Sequence, residues 1–328
     1  MKNKKIIIAG GTGFIGRALI KYFAPENDII VLTRNVNDGS NNSFAAFNLD
    51  NALKKNVKLV EWNGKNPGNW YKEIDGSNVV INLVGKSVNC RYTEKNKREI
   101  FDSRANATKI LGEAIHNATA PPKLWINAAS ATIYPHAVDK PNDEYVVDFK
   151  NDFSVQVCKL WEQTLFEQRT PFTRKIALRT AIVLGKGGVM MPYLNLCKFG
   201  LGGKQASGKQ MFSWIHMEDV CRIIDFIWEH NEMEGIYNAS SPNPVNNQTF
   251  MQTLRNVTGN KIGLPAFRWM LEIGSRILGT EAELLLKSRW VLPTKMLEAG
   301  YMFNYPTLKG AFENIIHKMP KKSYQLFR

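Results

Sequence analysis

Seven residues near the start of the chain, Gly10-Gly11-Thr12-Gly13-Phe14-Ile15-Gly16, have a spacing with an evident chemical use. They fit Gly11-x-Gly13-x-x-Gly16 and, at the same time, Gly10-x-x-Gly13-x-x-Gly16. Small residues are required there because the backbone must turn sharply from strand to helix. The turn also has to present bare N–H groups to a pyrophosphate at the helix N-terminus. The run follows the apolar stretch Ile6-Ile7-Ile8-Ala9 and leads into Arg17-Ala18-Leu19-Ile20, so it has the strand-turn-helix context the motif needs. Gly10, Thr12, Gly13, Phe14, Ile15 and Gly16 are therefore expected to cradle a dinucleotide. A site built for NAD expects an acidic residue at the end of the second strand, to bond the ribose 2′-hydroxyl. Here that strand ends Leu32-Thr33-Arg34-Asn35, with no acid. Arg34 lies eighteen residues past Gly16, where a guanidinium can grip a 2′-phosphate. The expected cofactor is NADP(H), with Thr33 and Arg34 at its adenosine end.

The elements that must position these residues alternate along the first two-thirds of the chain. Strands are expected over 5–9, 28–33, 57–62, 79–84, 124–129 and 175–178, and helices over 16–23, 96–117 and 152–168. This alternation predicts βαβ units around a parallel sheet, an α/β fold of the Rossmann-type, doubly wound kind. The last third reads as mostly helical, over 247–258, 265–278 and 281–287. The expected division is a dinucleotide-binding domain over 1–240, with 186–213 contributing to the substrate side, and a smaller substrate-side lobe over 241–328.

Composition narrows the class. Hydrophobic residues make up 44% and charged residues 22%, which suits a globular protein rather than a disordered one. No apolar run reaches the roughly 18 residues a membrane-spanning helix needs. The start, Met1-Lys2-Asn3-Lys4-Lys5 before an apolar run, imitates a signal peptide, but the run breaks at once into glycines and reads as a first buried strand. The expected location is the cytoplasm. Cys90, Cys158, Cys197 and Cys221 form no Cys-x-x-Cys pair and read as reduced thiols, and no metal site is expected. The formal charge of +14 is strongly basic, yet Lys and Arg are spread along the chain with no nucleic-acid-binding motif among them. The expected partner is a small-molecule substrate rather than nucleic acid or membrane, and the expected assembly a monomer or homodimer.

Further ordered motifs carry a family likeness. Asn82-Leu83-Val84-Gly85 closes the fourth strand, and Ser103-Arg104 with Thr108 lies on the following helix. Trp161-Glu162 precedes Leu178-Arg179-Thr180, and Gly200-Leu201-Gly202-Gly203 leads to Ser213-Trp214-Ile215-His216 and Asp219. Near the end stand Leu292-Pro293-Thr294-Lys295 and Ala299-Gly300-Tyr301-x-Phe303. With the glycine turn, these make the chain resemble, nearly end to end, the atypical short-chain dehydrogenase/reductase proteins of the YfcH type. That group is the NAD-dependent epimerase family with a C-terminal module of unknown role. The resemblance implies Leu83, Val84 and Gly85 beside the cofactor and Arg104 facing the same cleft. One departure is the polar stretch from Asn37 to Asn56, longer than the family norm.

The same resemblance implies where proton transfer would reside. Short-chain dehydrogenases place a Ser at the end of the fifth strand and a Tyr-x-x-x-Lys pair on the next helix; the Lys lowers the Tyr pKa and the Tyr exchanges a proton as hydride moves. Ser130 ends Leu124-Trp125-Ile126-Asn127-Ala128-Ala129, and Lys159 fits the lysine. Four residues earlier stands Val155, which has no proton to give. Tyr134 is the nearest substitute, either as proton donor or as a packed aromatic; Tyr145 and His136 are weaker ones. Two readings stay open: an NADP(H)-dependent oxidoreductase or epimerase, and an NADP(H)-binding regulatory or scaffold protein without hydride chemistry. Two lookalikes are set aside. Residues 203–210 approach a Walker A loop, but Gln210 replaces its Ser/Thr and no strand precedes it. His216-x-x-Asp219 suits a strand-to-helix junction better than a metal site, and Phe212 and Trp214 beside it suit either cleft wall or core.

Overall fold

The computed structural model describes residues 1–34, 36, 51–277, 279, 281 and 286–325. In chain order the elements are β1 (Lys5–Ala9), α1 (Phe14–Phe23), β2 (Asp28–Thr33), α2 (Asn51–Lys54), β3 (Val57–Glu61), α3 (Tyr71–Ile74), β4 (Val79–Asn82), α4 (Glu94–His116), β5 (Leu124–Ser130), α5 (Phe153–Phe166), β6 (Arg174–Thr180), β7 (Ile182–Leu184), α6 (Met190–Lys198), β8 (Met211–Phe212), β9 (Trp214–His216), α7 (Met217–Glu229), β10 (Gly235–Ala239), β11 (Val245–Asn246), α8 (Asn247–Thr258) and α9 (Arg268–Ile277). Two further helices, Thr294–Glu298 and Leu308–His317, follow.

Seven strands form one sheet in the order β10-β6-β5-β4-β1-β2-β3, and every pairing in it is parallel. Ile6, Ile7, Ile8, Val79, Val80 and Ile81 are wholly buried, as expected of central parallel strands covered on both faces. The strand order reverses between β1 and β4, and ligands of open α/β sheets bind at the carboxyl ends beside such a switch point. The doubly wound fold read from the sequence is thus the observed one. Of the polar 37–56 stretch, residues 37–50 lie outside the described residues, and α2 occupies 51–54.

Residues of the last third pack against the stretch from Met190 to Trp214. Tyr193, Leu194, Phe212 and Trp214 share one apolar cluster with Phe250, Leu254, Phe312 and Ile316. Phe212 and Trp214 are therefore core residues. Two buried carboxylates fasten the end of the chain. Asp219 in the first turn of α7 accepts from the backbone N–H groups of Asn304 (2.8 Å) and Tyr305 (3.0 Å), and from the Tyr301 hydroxyl (3.2 Å). Glu144 accepts from the N–H of Asn238 in β10 (2.8 Å) and that of Lys295 (3.4 Å). No helix among the described residues is long and apolar enough to cross a membrane.

Candidate functional site

The glycine turn is built for close approach. Gly10 has φ +77°, and a side chain there would come within 3.1 Å of the Leu83 backbone at the end of β4. At Gly16 a Cβ would lie 2.5 Å from Gly11 Cα, so α1 and the β1 turn touch backbone to backbone. Gly13 differs: a Cβ there would meet only the Gly10 carbonyl, at 3.4 Å, which leaves its face open. It is also the N-cap of α1, with no side chain capping the first turn. That leaves the helix's first N–H groups available to an anion, as the cradle of a pyrophosphate requires.

A cleft of about 920 Å³ opens over this turn, lined by Gly10, Thr12, Gly13, Thr33, Arg34, Leu83, Val84 and Gly85. So the cleft brings together most of the residues the sequence assigns to cofactor binding. Phe14, the first residue of α1, packs its ring against Gly185, Gly187 and Gly188, which tie the loop after β7 to the phosphate turn. Arg34 is exposed at the β2 end of the cleft. Beyond it the cleft is also lined by Trp62, Asn63, Gly64 and Lys65, from the loop after β3, which sequence reasoning passed over. The Asn63 carboxamide accepts from the N–H groups of Lys65 and Asn66, both at 2.9 Å, and so shapes the loop that carries Lys65. Two cations, Arg34 and Lys65, thus line the cleft beside the ends of β2 and β3. A cue was present in the sequence: Lys65 sits just past a strand predicted to end at 62, where ligand contacts concentrate.

At the other end, Arg104 extends from α4 to lie against Gly85, where a hypothetical Cβ would be 3.0 Å from its Cζ. It stacks 4.8 Å over the Trp161 ring and donates to the carbonyls of Lys86 (3.1 Å) and Ile100 (3.0 Å). Its Nε is buried with no hydrogen-bond partner among the described residues. Lys86 bonds Asn96 (2.7 Å) and pairs with Glu99, and its N–H donates to Ser103 Oγ (2.9 Å), which fixes the loop after β4.

Ser130 ends β5 half-buried, and its Oγ accepts from the N–H of Thr132 at 3.2 Å. The hydroxyl proton is therefore left for another acceptor. Tyr134 is fully buried. Its hydroxyl donates to Asn238 Oδ1 and accepts from Arg179 Nη1, both at 2.9 Å. Arg179 in turn holds Glu162 of α5 with two bonds, 2.7 and 2.8 Å, and burial pushes the Tyr134 phenol up to about 12. Its hydroxyl belongs to an interior network rather than to the cleft. Val155 is wholly buried beside Tyr134, Ile133 and Cys158. Lys159 is exposed, with its ammonium 5.7 Å from the Phe149 ring centroid. The buried stripe of α5 instead runs through Ser154 and Val155, Cys158, Trp161 and Glu162, then Leu165. Ser154 and Cys158 hold the same four-residue spacing as Val155 and Lys159, one position earlier. Tyr145 is exposed and bonds Glu298 at 2.6 Å. His136 accepts at Nδ1 from the N–H of Ser288 at 3.0 Å. His216 caps α7 by accepting from the N–H of Glu218 at 3.2 Å, and burial lowers its pKa to about 4.

A dinucleotide turn at the switch point of a seven-stranded parallel sheet defines the class: a Rossmann-type nucleotide-binding protein. By its sequence the chain belongs to the NAD dependent epimerase/dehydratase family, whose model matches residues 6–240; a domain of unknown function, DUF1731, matches residues 266–315. It is 31% identical to the epimerase family protein YfhF of Bacillus subtilis over 95% of this chain and 97% of that one. It is 27% identical to the human epimerase family protein SDR39U1 over 95% of this chain and 99% of that one. The crystal structure of human SDR39U1 (isoform 2) with NADPH superposes with a TM-score of 0.80 at 26% identity, covering 96% of this chain and all of that one. A UDP-glucuronic acid 4-epimerase from Bacillus cereus shares the fold, with a TM-score of 0.75 at 16% identity over 95% of this chain and 98% of that one.

Proposed function

We propose that this protein binds NADP(H) in the cleft over the glycine turn and exchanges hydride with a small substrate, as an oxidoreductase or epimerase. The observation that carries the reading is the open face of Gly13 above an uncapped helix start, in one cleft with Arg34 and Lys65 and with no acid at the end of β2. The N–H groups of the turn and of α1 would hold the pyrophosphate. Arg34 and Lys65 would hold the 2′-phosphate with charge-assisted bonds. Leu83, Val84 and Gly85 would form the floor, and Arg104 would face the nicotinamide end. NADP(H), when bound, supplies or accepts the hydride; the protein positions it and excludes water. The human relative solved with NADPH supports the cofactor choice.

For proton transfer, Ser130 is the hydroxyl we assign to the substrate oxygen. Lys159 reaches the nicotinamide ribose in this reading only by leaving Phe149. Tyr134 we assign to the framework, because both of its hydroxyl bonds are made inside the protein. The apolar Val155 favours a second reading, an NADP(H)-binding regulatory or scaffold protein that performs no turnover. Titration decides the cofactor: NADPH is expected to bind at least about tenfold more tightly than NADH, the value of roughly one charge-assisted contact. Equal dissociation constants refute the assignment. Absorbance of the reduced nicotinamide across a panel of carbonyl and nucleotide-sugar compounds decides the reaction. Turnover that survives in Ser130→Ala removes Ser130 from it, and tight NADPH binding with no turnover across the panel favours the second reading.

A further inference from the structure

The loop after α6 and the segment leading into α9 are zipped together along their backbones. Leu264 N–H donates to the Gly200 carbonyl (2.8 Å), and Gly203 N–H to that of Leu264 (3.0 Å). Further along, Ala266 N–H donates to the Lys204 carbonyl (3.0 Å) and Ala206 N–H to that of Ala266 (2.8 Å). The approach needs glycine on the loop side, because a Cβ at Gly203 would lie 2.5 Å from the Leu264 carbonyl. Arg255 of α8 donates to the Gly202 carbonyl (2.8 Å) and ties this ribbon to the body of the protein. The ribbon is rigidly held, yet it turns large apolar side chains to solvent. Phe199 is 61% exposed, Ile262 65% and Phe267 58%, and Leu201 and Leu264 are exposed beside them.

The helix that follows continues the face. Trp269, Met270 and Ile273 lie on one side of α9 and are all exposed, the indole at 60%, while Ser275, nearly opposite on the helical wheel, is buried. A helix that packed its apolar stripe on the core would have these positions reversed. Cations flank the stripe. Arg268 and Arg276 are exposed on α9, and Lys204 and Lys261 are exposed on the ribbon. Lys198, at the end of α6, donates to the Lys322 carbonyl (2.8 Å), which brings the basic end of the chain alongside. Acids are missing from the same stretches of sequence. Residues 186–217 contain no Asp or Glu, and 235–280 contain Glu272 alone, which already pairs with Arg268 at 2.9 Å. A second copy docking through this face would set like charges against one another, since an isologous contact repeats the same patch on both sides. An anionic lipid surface matches it on both counts. Aromatic and aliphatic side chains enter the boundary of the acyl chains, and Lys and Arg meet the headgroups.

We propose that this face docks the protein on an anionic lipid bilayer, with α9 lying among the headgroups and its apolar stripe turned to the acyl chains. The expectation of no membrane partner rested on the lack of a spanning run, and a helix that lies in the interface needs only one apolar face. Full-length protein is sedimented with vesicles of phosphatidylcholine alone and with vesicles of equal parts phosphatidylcholine and phosphatidylglycerol. It is expected to bind the anionic vesicles at least about tenfold more strongly, and to lose that advantage as added salt screens the headgroups. Trp269→Ser is expected to weaken binding about tenfold or more, through apolar surface no longer buried in lipid. Arg276→Gln is expected to weaken binding to the anionic vesicles about fivefold, the worth of one cation near such a surface, and to leave the neutral ones unchanged. Both variants should keep the wild-type urea midpoint, because both side chains are exposed. The proposal is overturned if the wild type sediments with neither vesicle, if it binds both equally, or if Trp269→Ser binds as tightly as wild type. A lowered urea midpoint in Trp269→Ser would mean that the ring packs inside the protein, which overturns it too. Sedimentation velocity without lipid supplies the last arm: a monomer agrees, and a dimer that Trp269→Ser converts to monomer assigns the face to a second copy and overturns the lipid.

Discussion

Replacing Tyr134 by Phe separates a proton donor from a framework hydroxyl. The ring is fully buried and would stay in place, so no cavity forms beyond one oxygen. What disappears is the donor to Asn238 Oδ1 and the acceptor for Arg179 Nη1, each at 2.9 Å. Asn238 keeps its other bonds, from its amide nitrogen to the Leu292 carbonyl (2.9 Å) and from its N–H to Glu144 (2.8 Å), so it cannot turn to find water without breaking them. Arg179 keeps both bonds to Glu162 but retains one buried N–H with nothing to accept it. An orphaned buried neutral group costs roughly 1–3 kcal/mol and a charged donor at least as much, so the variant should lose about 2–4 kcal/mol. With a urea slope of about 3 kcal/mol/M, near the top of the range for small proteins, the midpoint should fall by about 1 M. NADPH affinity should stay within about twofold of wild type, and any turnover should stay within a few-fold; loss of a general acid costs roughly 10²–10⁴. An unchanged urea midpoint together with a hundredfold drop in turnover would refute the argument and return Tyr134 to the chemistry.

Other substitutions separate cofactor contacts from packing. Gly13→Ala adds a methyl that meets only the Gly10 carbonyl at 3.4 Å, so the protein should fold normally and lose NADPH affinity by calorimetry; undiminished binding would show that the phosphates lie elsewhere. Gly16→Ala forces a Cβ to 2.5 Å from Gly11 Cα and should cost about 1–3 kcal/mol of stability in urea, as overpacking does; an unchanged midpoint would refute the backbone contact. Arg34→Ala and Lys65→Ala should each weaken NADPH about tenfold and leave NADH nearly unaffected, and parallel losses for both cofactors would place these cations away from the 2′-phosphate. His216 has a folded pKa of about 4 against 6.5 unfolded, so the unfolded chain takes up its proton first on acidification. Its contribution is fully present above about pH 6.5 and falls away toward pH 4, by about 3 kcal/mol in all. In His216→Asn, which retains a capping acceptor, that part of the pH dependence of the urea midpoint should vanish; an identical slope would show that His216 is not its source.

The fold was legible because fully buried parallel strands read as unbroken apolar runs, and β1 and β2 fall on the predicted residues. The strands that escaped notice are short or lie at the sheet edge. β7 and β9 have three residues each, and β10, Gly235-Ile236-Tyr237-Asn238-Ala239, is the edge strand, paired with β6 on one side and sending its Asn238 N–H to Glu144 on the other. Cleft-lining residues were legible wherever backbone geometry demands a residue type, as at Gly10 and Gly13. They were not where a loop of ordinary polar composition turns back over the cleft, as with Lys65. Tyr134 shows the deeper limit. A tyrosine four residues past Ser130 reads the same in sequence whether its hydroxyl faces a ligand or an arginine, and the deciding partners, Arg179 and Asn238, lie 45 and 104 residues away.

Those distant partners also make the turn after Ser130 a structural joint. The buried chain Glu162–Arg179–Tyr134–Asn238 ties α5, β6, the turn after β5 and β10 together. Asn238 passes the connection on to the Leu292 carbonyl in the C-terminal part of the chain. In a protein interior a half-satisfied polar network is worse than none, so each member holds the others to one geometry. Residues 288–292 are held from the other side as well, through the backbone bonds of Arg289 with Met211 and Ser213. An active-site tyrosine needs a hydroxyl free to meet substrate. A tyrosine that aligns the C-terminal module with the nucleotide sheet needs one that is not. With Val155 in place of a donor on α5, any proton transfer in the proposed reaction would draw on a group outside this network, Ser130 or the ligand itself.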